Sequence, residues 1–82
     1  MNRIFEIQKI FKDHEFVEVG STKLHICFNR ECEYFFLNKS DLLTGILVES
    51  ESLTHAYRMK DIDGVGFKLK TVNDLNSLLY IL

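Results

Sequence analysis

Two cysteines and two histidines, Cys27, Cys32, His14 and His25, fall within one short part of the chain. Two thiolates and two imidazoles make a tetrahedral zinc set, so metal binding is the first chemistry to weigh. The spacing argues against it. There is no Cys-x-x-Cys knuckle, and His14 sits where a helix is expected to turn into a strand. A disulfide is disfavoured too. In the strand register derived below, Cys27 faces Tyr34 and Cys32 faces Asn29. Diagonal neighbours of that kind sit about 7–8 Å apart, beyond the usual Cα separation of a bridge. Free thiols and no metal are the expectation, in keeping with a reducing compartment.

Catalytic patterns are equally sparse. Gly64-Val65-Gly66 is a fragment of a phosphate loop that lacks the third glycine and the long helix after it. Asp61 and Asp63 flank a turn, where aspartate is common for backbone reasons. No serine lies in a Gly-x-Ser-x-Gly elbow, and neither His25 nor His55 has a nucleophile placed beside it. The expectation is a protein with no enzymatic activity and no cofactor.

The elements that would position these residues follow from periodicity. Ile4, Ile7, Ile10 and Phe11 form one stripe of a helix over residues 2–13, opposite Glu6, Lys9, Lys12 and Asp13. Phe5 lies off that stripe, either at the rim of the core or as an exposed partner contact. Residues 15–37 form a meander of three strands. Gly20-Ser21 suits a two-residue turn that pairs Glu18 with Lys23, Val17 with Leu24 and Phe16 with His25. Arg30-Glu31 turns the second hairpin, pairing Cys27 with Tyr34 and Ile26 with Phe35. One face is then apolar, with Val17, Val19, Leu24, Ile26, Phe28, Phe35 and Leu37, each worth roughly 1.5–3 kcal/mol if fully buried. The other face carries Phe16, His25, Cys27, Tyr34 and Phe36 and is unusually aromatic for a solvated surface. Left uncovered, it is the expected docking patch for a protein partner or a second copy of the chain. A covering helix is the alternative.

Ser40 can cap a helix from Asp41 to near Ser50, with Leu42, Leu43, Ile46 and Leu47 buried and Gly45 a weak point. Residues 53–60 fit two patterns. A continued helix groups Leu53, Ala56 and Tyr57; a strand groups Leu53, His55, Tyr57 and Met59. The strand is preferred because Ile62-Asp63-Gly64 suits a hairpin loop with Gly64 left-handed, which pairs Met59 with Phe67 and Tyr57 with Leu69. That hairpin puts Arg58, Lys60, Lys68 and Lys70 on one basic face, a candidate site for nucleic acid or an acidic partner. Thr71 and Asp74 form a capping box for a last helix with Val72, Leu75, Leu78, Leu79 and Leu82 along its stripe.

These elements give a single α+β domain spanning residues 1–82. Its antiparallel sheet has about five strands, in the order α-β-β-β-α-β-β-α, with helices packed on the sheet. The order is similar to that of the double-wing DNA-binding domain of a T-even phage transcription activator, a resemblance of element order carried by no motif. Composition bounds the function. The chain has 82 residues, 46% hydrophobic, with seven Phe, three Tyr and no Trp, enough for one small core. No apolar run reaches the ~18 residues of a membrane span, and charges throughout the first helix exclude a signal-peptide core. The net charge is −2, which disfavours polyanion binding by the whole molecule. The absence of proline and the abundance of Ile, Lys, Asn and Glu suggest an AT-rich coding source. Together these features point to a cytoplasmic, non-enzymatic protein-binding module, such as a phage or mobile-element regulator or inhibitor. Nucleic-acid binding through the basic face is second.

Overall fold

Tyr34-Phe35-Phe36-Leu37 are consecutive apolar side chains, and strand alternation sends them to opposite faces. Any sheet that holds them must be covered on both sides. The computed structural model, which describes residues 3–82, meets that requirement with three layers. Five strands lie side by side in chain order, all antiparallel: β1 Val17–Ser21, β2 His25–Arg30, β3 Glu33–Asn38, β4 Asp41–Glu49 and β5 Val65–Lys68. Helices α1 Arg3–Asp13 and α3 Val72–Ile81 cover one face, and α2 Leu53–Asp63 covers the other. The α+β class, the five-stranded antiparallel sheet and the helices packed on it agree with the sequence reading. The order is α-β-β-β-β-α-β-α, so the fifth and sixth elements are exchanged relative to expectation. The likeness in order to the double-wing domain is correspondingly reduced.

The helix expected from Asp41 is strand β4. Leu42, Leu43, Ile46 and Leu47 satisfy helical spacing, but with Thr44 and Val48 they also form the continuous apolar run of a strand covered on both faces. Gly45 decides between the two. A Cβ there would collide with the Phe36 carbonyl oxygen and come within 3.0 Å of the Phe67 ring, so the weak point of a helix becomes a requirement of the sheet. Asp41 serves a turn instead, accepting from the Leu43 N–H at 3.1 Å and the Thr44 hydroxyl at 2.9 Å.

The strand expected over residues 53–60 is helix α2. The Ser52 hydroxyl accepts from the His55 N–H at 3.2 Å and caps it, and Ala56, the chain's single alanine, lets it sit flat on the sheet at 0% exposure. The expected hairpin loop at residues 62–64 is therefore absent. Gly64 ends α2 with φ −71°, outside the left-handed region, and donates its N–H to the Lys60 carbonyl at 3.1 Å. A Cβ would meet that carbonyl and Ile46. The capping box on α3 is present in full: Thr71 accepts from the Asp74 N–H, and Asp74 from the Thr71 N–H.

The meander keeps its three strands and changes its registers. β1 continues through Gly20-Ser21, and the chain reverses at residues 22–24, where the Thr22 hydroxyl accepts from the Leu24 and His25 N–H groups. Glu18 faces Phe28 and Gly20 faces Cys27, with a bulge between them. Val17, Val19 and Leu24 are consequently exposed, and Phe16 is buried on the α1 side. The second turn lies at Glu31-Cys32, with Glu31 at φ 53°, so Cys27 faces Phe36 and Phe28 faces Phe35. That register is two residues from the expected one. An even shift leaves every side chain on its face, which is why the faces of β2 and β3 are as expected.

The larger core is aromatic. Phe11 of α1 stacks on Phe28 with centroids 4.1 Å apart, and meets Phe16 and Phe35 edge-on at 5.4 Å each. Phe67 of β5 closes the cluster against Phe35 at 5.7 Å. The Arg30 guanidinium lies 4.5 Å from the Phe16 centroid, donates to the His14 carbonyl at 2.9 Å, and holds Glu33 through two bonds. It thereby ties the α1–β1 reversal, where Glu15 has φ 68°, to the second hairpin.

Substituting Gly45→Ala should destabilise the protein by about 1–3 kcal/mol, the usual cost of overpacking. At Gly20 an added Cβ meets only Leu53 at an ordinary 3.5 Å, so Gly20→Ala should be neutral or stabilising by up to about 1 kcal/mol. Urea unfolding of the two variants checks both.

Candidate functional site

The smaller core under α2 joins Cys27, Tyr34, Phe36, Val48 and Ala56, with Leu53 and Met59 against it. Beside it runs an open apolar cleft of about 340 Å³. Its floor is Cys27 and Phe36. One wall is a single stripe of α2, Leu53, Thr54, Tyr57 and Arg58, and the other is the end of β1, Gly20 to Thr22. The cleft continues past Tyr57 toward the β1–β2 turn, where Lys23, His25 and Lys60 border a second recess. Across the sheet another recess separates α1 from β1, between Gln8, Lys12, Phe16 and Glu18. Strand β1 thus runs between two clefts, one on each face.

Of the side chains expected to form an aromatic patch, the structure buries Phe16, Tyr34 and Phe36 at 4%, 7% and 1% exposure. Phe16 lies on the opposite face from the other two. Only Phe36 reaches the cleft, as part of its floor, with His25 half-buried 6.2 Å from its ring. Phe5 is exposed on α1. The basic group is dispersed because the hairpin that would align it does not form. Arg58 borders the cleft. Lys60 is 8% exposed, with Nζ 2.8 Å from Asp61 and 5.2 Å from the Tyr57 centroid. Lys68 lies on β5 near Asp41, and Lys70 is exposed between β5 and α3. The α2 wall is invisible to the strand reading of residues 53–60, which puts Leu53 and Tyr57 on a hairpin face instead of along a helix. Ser52 before Leu53, with Ala56 and Tyr57 at helical spacing, was the signal for it.

The four potential zinc ligands are scattered. His14 pairs with Asn76 at 2.8 Å across α1 and α3, Cys27 is buried, and Cys32 is exposed in the turn. Among the described residues no three His, Cys, Asp or Glu side chains converge as a metal site. Both thiols are free. Burial pushes the Cys27 thiol up to about 12, so at neutral pH it behaves as a small apolar group. His25 titrates below its ordinary 6.5, first through burial and then through the Lys60 charge, with Asp61 opposing both. Backbone and hydroxyl donors from Leu43 and Thr44 hold Asp41 below the usual carboxylate range, aided by Lys68 and Arg3.

Charge is uneven along the sheet. Glu15, Glu31, Glu33 and Glu49 gather near the β2–β3 turn, with Arg30 paired to Glu33. Lys12, Lys23 and Arg58 border the clefts along β1. Among the described residues none of these three has a carboxylate within ion-pair distance. No described helix is long and apolar enough to cross a membrane. The chain matches no protein-family model, no curated protein and no solved structure.

Alkylation with iodoacetamide should modify the native protein once, at Cys32, with Cys27 reacting only after denaturation; peptide mass spectrometry reads this directly. His25 makes a pH prediction. Its folded-state affinity for protons is below that of the unfolded chain, so the unfolded state binds more protons through the histidine range. The stability contribution is fully present above pH 6.5 and is lost as pH falls through the unfolded and then the folded value. His25→Gln should flatten that segment of a stability–pH curve measured by urea unfolding.

Proposed function

We propose that this protein is a non-enzymatic binding module that engages another protein through the cleft between α2 and the β1–β2 hairpin. One observation carries the reading: the cleft is open, yet its floor and α2 wall are apolar and aromatic, with Cys27, Phe36, Leu53 and Tyr57 at its surface. A recess of this composition gains by excluding water against a partner's side chains. The size of about 340 Å³ suits one or two anchoring side chains.

The chemistry nearby supports binding over catalysis. The one thiol in the cleft is held protonated, and the nearby His25 packs against Phe36 and is held neutral by burial and Lys60. A small cytoplasmic regulator or inhibitor of phage or mobile-element origin suits the length and composition. The nucleic-acid alternative loses its motivating geometry, because Arg58, Lys60, Lys68 and Lys70 sit on three different segments and Lys60 is largely covered.

Tyr57 is half-exposed on the cleft wall, so it can be changed without opening the core. Affinity capture from the native host should recover a protein with the wild type and lose it with Tyr57→Asp, in nuclease-treated and untreated lysates alike. Capture that disappears with nuclease, or that survives Tyr57→Asp, overturns the reading. Light scattering shows whether the partner is a second copy of this chain.

A further inference from the structure

We infer that the partner presents an extended acidic segment that adds to the free Gly20–Thr22 end of β1 as a further strand, with the side chains of one face set against the cleft beside α2. This deepens the binding reading above and rests on it.

The edge comes first. β1 has one strand neighbour, β2. Among the described residues no backbone hydrogen bond outside that pairing reaches residues 17–21. Thr22 bonds inward, donating its N–H to the His25 carbonyl at 2.8 Å. Antiparallel ladders alternate inward and outward groups, so the Ser21 N–H and C=O point to the open side. Natural edges are commonly blocked by lysine, proline or a covering element. β1 carries neither residue, and it exposes Val17 at 63% and Val19 at 38%. The charge of Glu18 and the bulge between Glu18 and Gly20 protect its first part and limit a straight ladder to the Gly20–Thr22 end. That is the end bordered by the apolar cleft.

The cleft comes second. Successive side chains of an added strand point to opposite faces. At the Gly20–Thr22 end those on one face lie beside the α2 wall of the cleft, Leu53 and Tyr57. An open edge flanked by a pocket is the arrangement in which main-chain bonds supply affinity and the pocket supplies selectivity. Charge sets the sign. Arg58 borders the cleft and Lys23 the turn at its end, neither of them neutralised by a neighbour. The one acid on the strand, Glu18, keeps its charge but lies beyond the bulge, bonded to the Gln8 side chain at 3.1 Å. A basic segment would be repelled at both cations and an acidic one attracted.

The test uses fluorescein-labelled peptides that alternate valine with glutamate or valine with lysine, and a glutamate peptide N-methylated at alternate amides. The methylated peptide keeps its side chains and loses its ladder donors. Anisotropy should show binding of the valine–glutamate peptide. N-methylation, or Ser21→Pro in the protein, should weaken it about fivefold to tenfold, the scale of losing one main-chain bond. Proline at position 21 removes an outward N–H, so the circular dichroism of that variant should match the wild type. Amide exchange at Ser21 should slow in the complex. Equal binding of the methylated and plain peptides, lost with Tyr57→Asp, overturns strand addition while leaving the cleft as the binding site. Tighter binding of the lysine peptide, of oligo(dT), or of no probe at all overturns the acidic-strand assignment, and the capture experiment then decides the cleft reading separately.

Discussion

The burial of β3 on both faces is the constraint from which the architecture follows. Tyr34, Phe35, Phe36 and Leu37 are each at most 7% exposed, and no two-layer packing can hide both faces of one strand. Helices must lie on each side, and β3 must be central. It has two strands on either side. Once β3 is fixed there, β4 beside it is covered on both faces as well, and its run of leucine, isoleucine and valine is accommodated as strand. Gly45 is the residue that lets this happen, because β3 and β5 approach β4 too closely at that point for any side chain.

The two faces are covered unequally, and the candidate site is a product of that inequality. Five strands at about 4.8 Å spacing make a sheet roughly 24 Å wide. A pair of helices, each about 10 Å across, can span it. On one face α1 and α3 do so, and Phe11 locks α1 down by stacking on Phe28 and meeting Phe16 and Phe35 edge-on. On the other face α2 is alone. Eleven residues long, it covers Phe36, Tyr34 and Val48 but leaves the sheet beside β1 open. The cleft is the part of the sheet that one helix cannot reach, which explains why its floor is made of core residues.

That origin also explains the site's chemistry. A floor shared with the core cannot carry a nucleophile or a charged acid at low cost, and burial correspondingly holds the Cys27 thiol protonated. Charge is confined to the rim, on Arg58 and, toward the β1–β2 turn, Lys23 and Lys60. An apolar recess with a cationic rim beside an unpaired strand edge suits recognition of an extended chain better than turnover of a small substrate.

The sequence alone determined what depends on neighbours along the chain. The stripe of α1, the capping box at Thr71 and Asp74, the alternation of β2 and β3, and the excess of aromatics on both faces of the meander are all local patterns, and each is present in the structure. The tertiary structure decided what depends on which surface lies opposite. Leu42 to Val48 suit a helix or a doubly covered strand equally, and only the presence of β3 and β5 on either side selects the strand. Residues 53–60 suit an exposed hairpin or a helix, and the need to cover Phe36 and Tyr34 selects the helix. The basic face existed only in the hairpin version and disperses with it. The aromatic face holds Tyr34 and Phe36 as the alternation requires, but Phe16 lies on the other side because the one-residue bulge between Glu18 and Gly20 flips the faces of β1 before it. What that face offers a partner is therefore a bordered cleft, set by where α2 ends its coverage, and no local pattern encodes that boundary.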